Sequence, residues 1–85
     1  MATILERLIK IIAKELGVDE DSVESSSSFT EDLNADSSDL AGLITVIEEA
    51  FSTPKQRIVI PDQAVEEVVT VQDLVEVLRE YIPED

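Results

Sequence analysis

Three stretches of this chain repeat apolar residues at the spacing of an amphipathic α-helix, and this pattern limits the fold more than any other feature. Thr3 and Glu6 form a capping box ahead of the first stretch, and Gly17 is a typical stop after it. The apolar residues of this stretch are Ile4, Leu5, Leu8, Ile9, Ile12 and Leu16. We therefore expect the first helix to lie between Thr3 and Gly17.

The remaining helices are predicted by the same signals. The second runs over about residues 37–51, and the last follows the cap Thr70 and ends at Pro83. A short helix is expected over residues 62–67. The sequence therefore predicts an all-α fold, a small four-helix bundle of three long helices and one short helix with a long first loop. One domain would cover residues 1–85.

Two connections in this fold carry apolar residues. Residues 18–36 form a long acidic loop, and we expect its spaced apolar side chains to pin it across the bundle. These side chains are Val18, Val23, Phe29 and Leu33. The serine run 25–28 within it indicates either turn chemistry or a site for an acid-directed kinase. Residues 58–60 are β-branched, but a single strand has no partner here, so we expect an extended segment that tucks under the bundle.

The composition narrows the functional classes. With 20 acidic and 6 basic residues the formal net charge is −14, which repels nucleic acids and anionic lipids and attracts basic patches on proteins. The chain has no cysteine and no histidine, which excludes disulfides, thiolate nucleophiles, imidazole bases and Cys/His zinc sites. No apolar run is long enough to span a bilayer. We expect a cytoplasmic monomer that binds neither nucleic acid nor membrane.

The turn before the second helix is the strongest candidate site. Asp36 is a good N-cap residue, and Asp39 follows three positions later in a weak capping-box position. Ser37 then occupies the first helical position. A helix N-terminus offers unpaired N–H donors and a partial positive charge, so a phosphate ester on Ser37 would be favoured there.

Other chemistry finds little support in the residues. An EF-hand loop needs a glycine at its sixth position and a glutamate at its twelfth, and neither the frame from Asp19 nor that from Asp32 supplies them. Loose divalent binding by the clustered carboxylates stays open, but no metal site is predicted. The chain also lacks a phosphate-cradling glycine loop and a sheltered pocket for a catalytic carboxyl. We therefore expect a protein that is not an enzyme on its own.

Four motifs, taken in order and spacing, resemble the acyl carrier protein family over nearly the whole chain. They are Asp36-Ser37-Ser38-Asp39, Ile47-Glu48-Glu49-Ala50-Phe51, Ile60-Pro61-Asp62 and Thr70-Val71-Gln72-Asp73-Leu74. By this resemblance, Ser37 would carry a 4′-phosphopantetheine arm, with Asp36 beside it, and a separate magnesium-dependent transferase would attach the arm from coenzyme A. The arm's thiol would hold acyl groups as thioesters in fatty acid, polyketide or related biosynthesis.

The resemblance also implies contacts for the cargo and for partner enzymes. The acyl chain would lie between the helices, and its predicted lining is Leu43, Ile47, Ile60 and Leu74. Basic patches on the transferase and on acyl-processing enzymes would meet a set of acidic residues, Asp36, Asp39, Glu48 and Glu49. Both sets also have a plain structural interpretation, because the first set suits a core and the second suits a solvated helix face.

Three departures from the family pattern indicate a specialised carrier with a dedicated set of partners. Ser38 stands where the family usually has leucine, and Gly42 stands where it usually has an acid. The loop before Ile60 is longer than usual and carries Lys55 and Arg57. Ser38 and Gly42 favour one alternative, an unmodified, carrier-like acidic scaffold that binds a basic partner protein. An aminoacyl or peptidyl carrier is a variant of the acyl carrier hypothesis, and a metal-regulated acidic binder is a third alternative.

Overall fold

Four α-helices form where the periodicity and the caps predict them, and the all-α prediction is confirmed. The computed structural model describes residues 3–82, and it contains no strand within them. The helices are α1 (Ile4–Leu16), α2 (Ser37–Phe51), α3 (Asp62–Glu66) and α4 (Val71–Tyr81). α3 ends one residue earlier than predicted, and the predicted stop at Pro83 lies outside the described residues. No helix among the described residues is long and apolar enough to cross a membrane.

Local capping explains where these helices begin and end. The Thr3 hydroxyl accepts the N–H of Glu6 at 3.1 Å, and Gly17 ends α1 in the left-handed region at φ 69°. At the start of α4, the Thr70 hydroxyl accepts the N–H of Asp73, and the Asp73 carboxylate accepts the N–H of Thr70 at 3.1 Å. The N–H donors of Thr70 and of the preceding residue lower the pKa of Asp73, because they stabilise the carboxylate.

The core is mainly aliphatic, and it lies where α1 packs against both α2 and α4. Its most buried large side chains come from these three helices and from the first loop. They are Leu8, Ile12, Phe29, Leu43, Ile47, Val71, Leu74, Val75 and Leu78. α3 packs against α4. Each buried side chain of this size contributes about 1.5–3 kcal/mol, so the three helices depend on one another for stability.

The first loop is pinned to the bundle by apolar side chains, as predicted. Val23, Phe29 and Leu33 are buried, and the Phe29 N–H donates to the Val69 carbonyl at 3.0 Å. An isolated antiparallel bridge between Ser28 and Thr70 forms at this point, so the loop is fastened to the start of α4. A 3₁₀ turn over Glu20–Ser22 was not predicted. It consists of acidic and polar residues with no apolar period, which is why the sequence pattern missed it.

The structure favours turn chemistry for the second half of the serine run. Ser27 and Ser28 are buried, and each hydroxyl accepts a backbone N–H, from Glu24 at 3.0 Å and from Glu31 at 3.2 Å. A buried hydroxyl that already has a partner is not open to a kinase. These two serines therefore shape the loop.

The segment after α2 is extended and unpaired, as predicted. Ile58 and Ile60 are buried, whereas Val59 between them is 60% exposed. The Ile58 N–H donates to the Ser52 hydroxyl at 2.9 Å, and the Ile60 N–H donates to the Glu48 carboxylate at 2.6 Å. These bonds satisfy backbone groups that a sheet would otherwise pair, so the segment follows α2 without forming a strand.

A residue of α1 fixes the far end of α2. The Arg7 guanidinium lies over the Phe51 ring, 4.2 Å from its centroid, and donates to the Ala50 carbonyl at 3.2 Å. A cation is favourable beside the C-terminal carbonyls of a helix and above an aromatic face. Arg7 therefore joins α1 to the end of α2 by two contacts.

Candidate functional site at the start of α2

The chain turns sharply just before α2, and the turn brings the candidate site to the surface. Ala35 is buried and its N–H donates to the Phe29 carbonyl at 2.7 Å. Asn34 before it is exposed and has φ 55°, in the left-handed region that asparagine tolerates better than most residues with a side chain. Asp36 and Ser37, which follow the buried anchor, are exposed.

A reciprocal capping box starts α2 and leaves Ser37 free. The Asp36 carboxylate accepts the N–H of Asp39 at 2.9 Å, and the Asp39 carboxylate accepts the N–H of Asp36 at 3.2 Å. The hydroxyl of Ser37 and the N–H groups of Ser37 and Ser38 have no acceptor or donor partner within residues 3–82. The first turn therefore presents one nucleophilic oxygen next to two unpaired donors, at the positive end of the helix dipole.

A groove of about 560 Å³ opens beside this turn, and we call it the Ser37 groove. Its apolar lining is Ala35, Leu40, Ala41, Ile44, Ile60, Val65 and Val68. Its polar lining is Thr30, Asp36, Ser37, Thr45, Glu48, Asp62 and Glu66. The volume lies within the range of about 300–1,000 Å³ that small-molecule sites occupy, and half of the lining residues are apolar.

The sequence from residue 6 to residue 78 matches the family model of the phosphopantetheine attachment site. The match takes in α2 and α3 and most of α1 and of α4. The chain belongs to this family. Its members are carriers with a covalently attached 4′-phosphopantetheine, and they bind acyl chains and interact with enzymes.

The residues at the start of α2 fit the group that this carrier family holds. A phosphodiester needs a free hydroxyl, and the exposed Ser37 supplies one. Its negative charge is favoured by the unpaired N–H groups of Ser37 and Ser38. Asp36 and Asp39 oppose it in part, because both carboxylates lie in the same turn. No group of three or more acidic residues within residues 3–82 has the arrangement of a metal site.

The Ser37 groove differs in part from the lining that the sequence predicts for the carrier. Of the four predicted residues, Ile60 lines the groove, whereas Leu43, Ile47 and Leu74 lie in the core with at most 1% of their surface exposed. The α2 residues that do line it share one face of the helix with Ser37. They are Leu40, Ala41, Ile44, Thr45 and Glu48. Counting helical positions from Ser37 would have found this face.

The four predicted partner-binding acids of the carrier divide into two kinds. Asp36, Asp39 and Glu49 are exposed. Glu48 is half-buried, and its carboxylate accepts the N–H of Ile60 at 2.6 Å. Glu48 therefore has a structural contact that the sequence did not indicate, because the bond joins residues twelve positions apart.

Proposed function

We propose that Ser37 is the attachment residue, and that the chain carries acyl groups as thioesters in fatty acid, polyketide or related biosynthesis. The observation that carries this proposal is the exposed Ser37 at the first position of α2, inside the matched region and in the lining of a groove with seven apolar lining residues. The chain has no cysteine, so the thiol for thioester chemistry comes from the arm.

Attachment needs little from the carrier itself. A transferase would join the phosphate of coenzyme A's pantetheine half to the Ser37 oxygen, and adenosine bisphosphate would leave. The carrier's contribution is to hold the hydroxyl in the open, which the capping box of Asp36 and Asp39 does by fixing the first turn. The unpaired N–H groups of Ser37 and Ser38 favour the phosphate afterwards.

The Ser37 groove is where we place the acyl chain. Leu40 and Ile44 of α2 face Val65 and Val68 across it, so an aliphatic chain leaves water there at about 25 cal/mol for each Å² of apolar surface buried. The predicted lining residues Leu43, Ile47 and Leu74 lie behind this wall in the core. They would contact cargo only when the helices separate, while Ile60 contacts it directly.

The exposed acids beside Ser37 are the proposed contact for the transferase and for acyl-processing enzymes. Asp36 and Asp39 lie in the same turn as the attachment residue, and Glu49 lies near the other end of α2. Basic patches on these enzymes would be steered towards a carrier of net charge −14. Because the Glu48 carboxylate already accepts the N–H of Ile60, we expect Glu48 to contribute less to these contacts than the exposed acids do.

Intact mass spectrometry tests the proposal. The purified chain is incubated with coenzyme A, magnesium and a broad-specificity phosphopantetheinyl transferase, and we expect a gain of one phosphopantetheine. Ser37→Ala should gain nothing, and the matched control Ser38→Ala should gain one arm. An arm that persists in Ser37→Ala would refute the assignment of the residue. A chain that stays unmodified with its cognate transferase would favour the acidic scaffold instead.

A further inference from the structure

A second groove, of about 820 Å³, lies at the other end of α2, and we call it the loop groove. One wall is the C-terminal half of α2, and the other is the loop over residues 52–59. Thr45 and Glu48 form the ridge between it and the Ser37 groove, because both residues line both grooves. The proposed attachment and cargo chemistry does not use this second groove.

The two walls of the loop groove carry opposite charges. The helix wall has Glu48 and Glu49, and the loop wall has Lys55 and Arg57, the only cations of the chain between residues 15 and 78. Lys55 and Arg57 are exposed, and neither forms an ion pair with any residue of the described part of the chain. The chain has 20 acidic residues, yet these two neighbouring cations have no ion-pair partner among residues 3–82.

The loop that carries these cations is held firmly against α2. The Ser52 hydroxyl donates to the Glu48 carbonyl at 2.6 Å, and Thr53 and Gln56 exchange two backbone hydrogen bonds of 2.8 and 3.1 Å. The buried Ile58 and Ile60 anchor the next segment. A loop whose backbone is already ordered loses less entropy on binding than a mobile one, so the loop backbone is a prepared contact surface.

Backbone alternation decides which side chains this loop presents. Residues 58 and 60 point into the core, so Arg57 and Val59 point outwards, and Val59 is 60% exposed. Val59 is one of only two large apolar side chains among the described residues that are exposed. The groove thus offers, in sequence, an acidic helix edge, a basic loop and one exposed apolar contact.

We propose that the loop groove docks a partner protein through a mixed-charge element, with carboxylates against Lys55 and Arg57 and an apolar side chain against Val59. Cations of the same element would meet Glu49 on the helix wall. A partner surface that is basic throughout fits the start of α2 but is repelled by the loop. The loop groove therefore selects among enzymes that the net charge alone would attract equally, and this selection is already present in the chain before Ser37 is loaded.

Titration with a synthetic helical peptide tests this proposal. The peptide carries a row of glutamates, a row of leucines and a row of lysines, and its binding to the isotope-labelled chain is followed by backbone amide NMR and by calorimetry. We expect shift changes over residues 52–59 and the end of α2. The double variant Lys55→Glu/Arg57→Glu should weaken binding about tenfold. Shift changes confined to the first turn of α2 would overturn the proposal.

The matched control is Lys10→Glu/Lys14→Glu, which changes the net charge by the same amount on exposed positions of α1. It should leave the affinity within about twofold, because the peptide does not contact α1. Equal weakening by both double variants would mean that overall charge alone drives binding, and would refute the docking site. If the glutamate variant unfolds by circular dichroism, the neutral Lys55→Gln/Arg57→Gln variant should show a smaller loss in the same direction, and an unchanged affinity would refute the proposal.

Loading of Ser37 is measured on the same variants by intact mass. A wild-type chain that gains no phosphopantetheine but binds the peptide as described overturns the carrier function and leaves the docking surface standing. If the wild-type chain is loaded normally and the two double variants bind the peptide equally well, the docking surface alone is overturned.

Discussion

Helices α2 and α4 begin with the same device. Asp36 and Asp39 exchange hydrogen bonds between side chain and backbone at the start of α2, and Thr70 and Asp73 do the same at the start of α4. Both boxes are readable in the sequence as a capping residue followed three positions later by an acid. The two helix starts nevertheless differ in exposure.

The difference lies in what surrounds each box. At α4, the first loop pairs with the helix start through the Phe29 N–H and the Val69 carbonyl, and the residue after the cap, Val71, is fully buried. At α2, the residue after the cap is the exposed Ser37. A capping box therefore sets where a helix begins, whereas packing around it decides whether another protein can reach it.

Removing the Phe29 side chain should loosen the loop that lies beside both helix starts, and it should have the largest effect on stability. Phe29 is 1% exposed, its N–H donates to the Val69 carbonyl, and its carbonyl accepts the N–H of Ala35. We expect Phe29→Ala to lower the free energy of unfolding by about 3–5 kcal/mol in urea denaturation. Val59→Ala, at a 60% exposed position, is the control and should change it by less than about 0.5 kcal/mol. A loss below about 1 kcal/mol for Phe29→Ala would contradict its role as a core residue.

Removing one cap at a time should separate stability from loading. Thr70→Ala and Asp36→Ala each remove a side-chain acceptor from a helix start, so each should cost about 1 kcal/mol in urea denaturation. Only Asp36→Ala should also slow the attachment of phosphopantetheine, because only that cap holds the first turn that contains Ser37. Equal slowing by both variants, measured at a temperature where both are folded, would show that global stability sets the rate.

Replacing Gly42 in the middle of α2 by alanine should stabilise this helix, whereas α4 has no glycine to replace. Gly42 is exposed in the middle of α2, and an added Cβ there would meet no atom within 4 Å beyond the helix itself. Gly42→Ala should raise the free energy of unfolding by about 0.5–1 kcal/mol, because alanine has less backbone freedom to lose. Thermal unfolding measures this, and an unchanged or lower midpoint would contradict it.

The smallest effect that we expect is a dependence on pH at α4. The N–H groups of Thr70 and Val69 hold the pKa of Asp73 below its usual value in the folded chain. A group with a lowered folded pKa stabilises the fold above its unfolded pKa of about 3.9 and loses that contribution as the pH falls through the folded value. The stability difference between wild type and Asp73→Asn should therefore be greatest above about pH 5 and shrink below about pH 4. A difference that does not change over this range would refute the linkage, and comparing the two chains removes most of the shared repulsion from the other acids.

The sequence predicts the helices well because their boundaries depend on neighbouring residues. Caps within a few positions explain the starts of α1 at Ile4, of α2 at Ser37 and of α4 at Val71, and they explain the stop at Gly17. The 3₁₀ turn at Glu20–Ser22 has no such signal, since its residues are polar and lack a period.

The candidate site is predictable only in its first turn. Ser37 and its cap are local features, but the lining of the Ser37 groove depends on which face of α2 the later segments cover. The sequence identifies Leu43 and Ile47 as apolar without distinguishing the core from the groove wall. The hydrogen bond from the Ile60 N–H to the Glu48 carboxylate spans twelve positions and depends on the path of the loop, so no local sequence pattern predicts it.

Glu48 connects the Ser37 groove, the proposed place of the cargo, with the loop groove, the proposed place of the partner. Its carboxylate is fixed by Ile60, and its side chain belongs to the walls of both the Ser37 groove and the loop groove. An occupant that displaces Glu48 from one side reshapes the other. Suppose that an acyl chain in the Ser37 groove changes the partner's affinity for the loop groove through Glu48. By thermodynamic reciprocity, docking of the partner then changes the affinity of the Ser37 groove for the acyl chain by the same factor.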